Sequence, residues 1–445
     1  MTVTLDAIRD CLEGATPAVM ATCDLDGVPN VAYLSQVHYI DPSHVALSFQ
    51  FFNKTRENVL ANPQATLLVI DPNTGATYRI AVRYLRTETE GPLFEHMKAR
   101  LAGIASHTGM AGVFRLRGSD VYRVLEIERI PGATLPAAPR RNRLAALRTC
   151  ARRLAACTDL AGLFNETLEC LAQAFDVRHA MLLMFDRAGG RLYTVASLGY
   201  ERSGVGSEIA LGAGVIGVAA REGTPIRISH MTSDYAYARA IRHGVAQQGL
   251  AGMLETEIPL PGLAQPHSQL AVPVADGQQL YGVLCVESGE DLRFTYDDED
   301  ALVTLAAQLA VAIRPLQAAA DADDEPAADE SARAPAAGAP VVVRHYAADG
   351  STFVDNDYLI KGVAGSILWA LVQDHVASGR VGFTNRELRL DPRIRLPDVT
   401  DNLEARLVLL QRRLVERESC VRIEKTGRGR FRLCVSRPLV LEAAR

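Results

Sequence analysis

Residues 401–416, DNLEARLVLLQRRLVE, followed at 420–435 by CVRIEKTGRGRFRLCV, decide how the last part of this chain folds. Leu403, Leu407, Leu410 and Leu414 recur at helical spacing and form one apolar stripe. Asp401 stands where an N-cap belongs, and Glu404 follows three residues later to answer it. Projected at about 100° per residue, Asn402, Arg406 and Arg413 fall on one flank of the stripe and Arg412 lies opposite it. Downstream, Val421 and Ile423 alternate with Arg422 and Glu424, and Gly427 and Gly429 supply a turn. Phe431, Leu433 and Val435 then alternate with Arg430 and Arg432, which makes a β-hairpin with basic outward positions. A basic helix runs straight into a basic, glycine-tipped hairpin.

From about residue 341 to 435 the chain resembles the OmpR-type winged-helix output domain of bacterial response regulators. The resemblance rests on VVRHYAADGSTFVDNDYLI (342–360) as a leading sheet, AGSILWALVQDH (364–375) as first helix and FTNREL (383–388) opening the second. The leucine-striped helix takes the recognition position and TGRGRFRL (426–433) the wing; DPRIRLP (391–397) departs from the usual short loop between helices. The resemblance implies a DNA partner, with Asn402, Arg406, Arg412 and Arg413 toward a major groove and Arg428, Arg430 and Arg432 on the backbone.

At 445 residues the chain has room for two to four domains. Its net charge of −5 divides unevenly: residues 340–445 carry 18 Lys/Arg against 13 Asp/Glu, the remainder 29 against 39. Basic charge is confined to the segment where a nucleic-acid footprint needs it. The eight cysteines show no CxxC spacing. Cys150 and Cys157 share a helix face without two further ligands nearby, so reduced, buried thiols and no metal are expected. No apolar run approaching 18 residues and no leader stand out in the reading, so the expectation is a cytoplasmic protein without a membrane partner.

Residues 1–130 alternate short apolar runs with turn signals, the pattern of a small barrel. The segment resembles the pyridoxamine-phosphate-oxidase-like, FMN-binding split barrel. The residues that carry it are PAVMATCDLDGVPNVAYLS (17–35), LSFQFFNKTRENVLANP (47–63), GPLFEHMKARLAGIASHTGMAGVFRL (91–116) and DVYRV (120–124). The family's flavin-phosphate cluster maps onto Ser48, Asn53, Lys54, Thr55, Arg56 and Asn58, and Tyr33, Leu34 and Ser35 onto the strand along the flavin ring. Cation, hydroxyl and amide donors at a helix start suit a phosphate; a solvated loop that merely begins the helix is the competing reading. FMN is the implied cofactor, with another flavin, haem or none left open. The oxidases' C-terminal Arg- and Trp-bearing motif has no counterpart, since the single tryptophan is Trp369, so true oxidase activity is not expected.

Residues 131–142 (PGATLPAAPRRN) read as a linker. From 143 to 315, two N-terminal helices, a run of strands and a closing helix resemble a GAF domain, an α/β sandwich. LGAGVIGVAAREGTPIRISHMTSD (211–234), YGVLCVES (281–288) and LAAQLAVAI (305–313) carry it. Gly212, Gly214 and Gly217 spell GxGxxG, but no repeated βαβ units surround them, so they read as a turn and helix start. No cysteine lies between Cys170 and Cys285 to tether a bilin. His230, Tyr235, Tyr237 and His243 lie where such domains hold small ligands, although a structural role outweighs ligand contact for each. Apolar stripes within 144–171 and 302–313 are expected to pair the chain as a homodimer. Residues 316–340, Ala/Asp/Pro-rich and without aromatics, read as a flexible acidic linker.

The expected fold is multidomain α+β: split β-barrel, GAF sandwich, winged helix. The leading function is a sensory transcriptional regulator, favoured over an enzyme because no nucleophile–base pair with an orienting carboxylate is evident, with enzyme activity left open. The alternatives are a flavin-dependent oxidoreductase regulated by its other domains, and a scaffold whose winged helix binds protein.

Overall fold

Alternation sets the first sheet. Ala18, Met20 and Thr22 of β1 (Ala18–Cys23) point inward, while β2 (Pro29–Leu34) is an edge strand with Val31 and Tyr33 exposed. With β3 (His38–Asp41), β4 (His44–Phe49), β5 (Gln64–Ile70), β6 (Thr77–Glu88) and β7 (Gly118–Ile130) they form an antiparallel sheet ordered β2-β1-β5-β6-β7-β4-β3. Met20, Leu67, Val69, Ile80 and Tyr122 fill it, closed below by a 3-10 helix, Asp6–Leu12. Two helices flank it, α1 (Lys54–Ala61) and α2 (Pro92–His107). The structure, a computed structural model, describes residues 3–34, 37–49, 54–107, 116–137, 142–229, 258–277, 279–321, 338–394, 396 and 402–444.

The second unit begins with α3 (Arg143–Ala155), capped by Asn142, and α4 (Leu160–Phe175), capped by Asp159 through the Gly162 N–H. Its sheet runs β10-β9-β8-β13-β12-β11, from β8 (His179–Asp186), β9 (Arg191–Leu198), β10 (Glu208–Ala210), β11 (Ile226–Ile228), β12 (Ser268–Asp276) and β13 (Gln279–Ser288). Gly212 takes φ +81° in the turn before α5 (Gly214–Glu222), and a Cβ on Gly217 would lie 2.4 Å from the Ala210 carbonyl oxygen. The GxGxxG spacing thus serves a tight turn and a close helix–strand approach. α6 (Tyr296–Asp321) starts at a reciprocal cap: Thr295 N–H and Oγ1 donate to Asp298 at 2.9 and 3.0 Å. By length and composition α6 could cross a membrane, contrary to the expectation from sequence. Its Leu302, Leu305, Leu309 and Ile313 are instead buried in the domain core.

That burial also corrects the expected dimer stripes. Leu154, Leu160, Leu163, Leu168 and Leu171 pack in the same single-chain core, and only Leu144, Val303 and Val311 of these helices remain exposed large apolar residues.

The C-terminal unit has a sheet ordered β16-β15-β14-β20 and a second ordered β17-β19-β18. Its elements are β14 (Val341–Tyr346), β15 (Ser351–Val354), β16 (Asp357–Ile360), α7 (Gly362–Ser378), β17 (Gly382–Thr384) and α8 (Asn385–Leu390), which opens on a Thr384–Glu387 capping box. Then follow α9 (Leu403–Glu416), the hairpin β18 (Val421–Gly427) and β19 (Arg430–Val435), and β20 (Leu439–Ala444), which returns parallel to β14. Buried residues of the second and third units form one continuous cluster.

The first two units meet where α2 packs on α5 and β11. A buried ionic hub crosses this seam. Arg227 donates to Glu13 at 2.8 Å and to Glu299 at 2.7 Å, and Arg100 lies 3.5 Å from Glu13. Opposite charges hold the Glu13 carboxyl down at about 2 against the effect of burial. Beside the hub, the His38 and His96 rings lie 5.1 Å apart, tilted by 52°, and Thr224 bonds the His96 ring at 2.6 Å. Burial, Arg100 and the neighbouring ring push His38 down to about 3, and burial with Arg100 lowers His96. Folded histidines therefore refuse protons that the unfolded chain accepts below its ordinary value. Stability should be fully present above about pH 6.5 and fall as the pH drops toward 4.5, before Glu13 begins to contribute. Melting temperatures measured between pH 7.5 and 5 should show this decline, and His38→Asn should flatten it; an unchanged slope in the variant would refute the assignment.

Candidate functional site

Two clusters of candidate residues can be placed. In the barrel, α1 packs against β1 and β2. Tyr33 is 81% exposed on β2 and Ser48 is exposed on β4. Lys54 Nζ lies 3.4 Å from the Asp24 carboxylate, and Thr55 Oγ1 accepts from Asn30 Nδ2 at 2.9 Å. Asn58 is 1% exposed and donates to Thr22 Oγ1 at 3.2 Å, which makes it a core residue tying α1 to β1. Arg56 turns inward to Asp120 of β7, with Nη1 at 2.5 and 2.6 Å from the two carboxylate oxygens. Ser35 and Asn53 lie outside the described residues.

This arrangement does not fit a phosphate dianion. The two cations at the start of α1 each stand beside a carboxylate, and the implied amide donor Asn58 is buried away from it. Arg56 and Asn58 thus hold internal contacts in this structure. Asp120, Thr87 and Tyr84, which complete the Arg56 network, were not singled out from the sequence. They stand far from Arg56 along the chain, and only strand register brings them together.

The second cluster is Asn402, at the start of α9, with Arg406, Arg412 and Arg413 along it. None of its four candidates is presented to solvent for a groove. Asn402 is the N-cap, 7% exposed, and accepts the Ala405 N–H at 3.0 Å; Asp401 lies outside the described residues. Arg406, 5% exposed, pairs with Asp186 of β8 at 3.1 Å and lies over the Tyr193 ring of β9 at 4.2 Å. Arg412 donates to the Val195 carbonyl of β9 and to Asn165 Oδ1 of α4, both at 2.6 Å. Arg413, 3% exposed, donates to the Leu359 carbonyl at 3.1 Å and to Glu416 at 2.7 Å. Burial draws the Arg412 and Arg413 guanidinium pKa values down. Asn402, Arg406, Arg412 and Arg413 thus hold internal contacts in this structure, and those of Arg406 and Arg412 reach across to the second unit. On the hairpin, Arg428 is exposed in the turn, whereas Arg430 and Arg432 are half-buried on β19. Lys425 of β18 adds ties to Glu404 at 2.9 Å and to Asp159 of the second unit at 3.6 Å.

His230, Tyr235, Tyr237 and His243 lie outside the described residues. All eight cysteines are free thiols, and among the described residues no three His, Cys, Asp or Glu side chains group as a metal site.

Residues 4–128 match the family model described as pyridoxamine 5'-phosphate oxidase, and residues 159–313 match the GAF domain model. The chain therefore carries an N-terminal domain of the first kind followed by a GAF domain, and neither match reaches the C-terminal unit. Among curated proteins none matches the chain. Similar solved structures include the GAF domain of a phosphoenolpyruvate-protein phosphotransferase from Acinetobacter, 24% identical, covering 41% of this chain and 98% of that one, TM-score 0.32. An FMN-binding protein from Syntrophomonas wolfei is 18% identical over 28% of this chain and 88% of its own, TM-score 0.23. HupZ from Group A Streptococcus is 21% identical over 29% and 95%, TM-score 0.23.

Replacing Arg406 discriminates between a docked and a solvent-facing α9. Arg406→Ala should destabilise the chain by about 2–4 kcal/mol, since it strips a desolvated ring contact and leaves Asp186 without its partner. An exposed DNA-facing arginine would change stability by about 0.5 kcal/mol or less. Denaturant midpoints distinguish the two.

Proposed function

We propose that the protein is a sensory regulator whose C-terminal unit is a winged-helix output module held in check by its own GAF domain. One observation carries the reading. The α9 residues that suit a DNA groove by type are engaged, at Arg406 and Arg412, by the GAF acceptors Asp186, Val195 and Asn165. A guanidinium stays charged at physiological pH, so a groove and the GAF surface compete for the same hydrogen-bond donors. Basic charge concentrated in residues 340–445, against an acidic remainder, supports the same reading, because the acidic part also repels nucleic acid from afar. A signal received by the barrel or the GAF domain would act by weakening this docking. The exposed Arg428 and the β19 arginines would then hold backbone phosphate while α9 reads base edges.

The test leaves the output module unaltered. Asp186→Lys combined with Asn165→Lys places like charge against Arg406 and Arg412 from the GAF side. In the full chain this variant should bind genomic DNA fragments at least about tenfold more tightly than the parent at low salt. Arg428→Ala in that background should reduce the slope of log affinity against log salt by about one unit. If the released variant binds no DNA at low salt, the DNA reading fails and a protein partner takes its place.

A further inference from the structure

Arg56 sits in a network of polar side chains from β6 and β7. Beyond its contacts to Asp120, Arg56 Nη2 donates to Thr87 Oγ1 at 3.0 Å. Thr87 donates to Asp120 Oδ1 at 2.6 Å and meets the Tyr84 phenol at 2.7 Å. The paired side chains of Arg56 and Asp120 are 14% and 9% exposed. Sheet register builds this geometry: Asp120 of β7 stands opposite Leu47 of β4 on one side and Thr87 of β6 on the other. The carboxylate is therefore fixed by the barrel and does not swing away as a surface side chain would.

The electrostatic consequence is specific. A phosphate monoester carrying nearly two negative charges is drawn to a guanidinium only where that charge is unneutralised. Here Asp120 neutralises Arg56, and Asp24 stands beside Lys54, whose Nζ is the other cation at the start of α1. Each cation thus stands against a carboxylate, which weakens the net attraction for a phosphate placed there, most of all at the buried Arg56.

We propose that Asp120 sets the ligand selectivity of the barrel: by holding Arg56 it excludes a terminal phosphate, so the site takes a flavin-type ring with an uncharged tail, of which riboflavin is the simplest, in preference to FMN. This inference stands on barrel geometry alone and is independent of how the C-terminal unit is regulated.

The full chain would be titrated with riboflavin and with FMN, followed by quenching of flavin fluorescence. Riboflavin should bind the wild-type protein at least as tightly as FMN, and inorganic phosphate should not compete with either. In Asp120→Asn the freed guanidinium should shift the affinity ratio toward FMN by about tenfold or more, since one charge-assisted hydrogen bond is worth that factor. Inorganic phosphate should then compete with FMN. Arg56→Gln with Asp120→Asn removes both charges and should return the ratio to the wild-type value, with circular dichroism confirming the fold. The wild-type ratio needs no variant and decides the matter even if Asp120→Asn fails to fold. The proposal is overturned if the wild-type protein binds FMN tenfold more tightly than riboflavin, if Asp120→Asn leaves the ratio unchanged, or if the wild-type protein binds neither flavin.

Discussion

The packing of the second and third units against each other depends on α9 being buried on two sides. Its leucine stripe packs into the C-terminal core, as an amphipathic helix does, and Leu407, Leu410 and Leu414 are all at most 4% exposed. Its opposite flank is not released to water either: Leu409 is 3% exposed and Arg406 5%. Buried guanidinium groups are tolerated only where acceptors meet them. Asp186, the Tyr193 ring, the Val195 carbonyl and Asn165 supply those acceptors, and all four belong to the GAF domain. The helix is thus the shared core element of two units, which is why their buried residues form one cluster.

Local signals made most of the fold legible. Alternation in residues 18–23 and 29–34, turn residues at Asp24 and Gly27, and caps at Asp159 and Thr295 each act within a few residues and can be read without tertiary information. The sites were less legible, for a reason visible at Arg56. A cation before a helix reads equally well as a phosphate ligand or as half of an ion pair. Asp120, which decides between them, arrives through strand register 64 residues away. The same ambiguity attends Arg406 and Arg412. One local cue did point to docking: LVLL at 407–410 places apolar residues around more than a full turn of helix, and a helix apolar beyond a single stripe is one buried on more than one side. The leucine stripes of the GAF helices carried the reverse lesson, since an apolar stripe fills its own core before it is available to a second copy.

The two seams of the GAF domain differ in kind. Toward the barrel, the hub of Glu13, Arg100, Arg227 and Glu299 is a network of buried charges, in which removing one member strands the others. Such a network favours one arrangement and yields poorly to small perturbations. Toward the C-terminal unit, the polar ties combine the buried Arg406–Asp186 pair with contacts at the rim: Glu416 of the Ser203 contact and Glu208 of the Lys361 pair retain solvent access. Rim contacts of this sort are individually weak. Within the regulator reading, these rim contacts are where docking of the C-terminal unit would begin to loosen.

Magnitudes place a bound on how such a shift could work. A ligand displaces an equilibrium only by its difference in affinity for the two states, and moving a docked population from about 99% to about 1% requires roughly 5.5 kcal/mol of that difference. Release also exposes Leu409 and neighbouring apolar surface to water, at about 25 cal/mol for each Å² uncovered. DNA would offset part of this by pairing Arg406 and Arg412 with phosphate or base edges as the GAF acceptors let go. Within the regulator reading, signal and DNA thus act on one equilibrium from two ends: neither has to supply the whole difference alone, and each raises the apparent affinity of the other by the same factor.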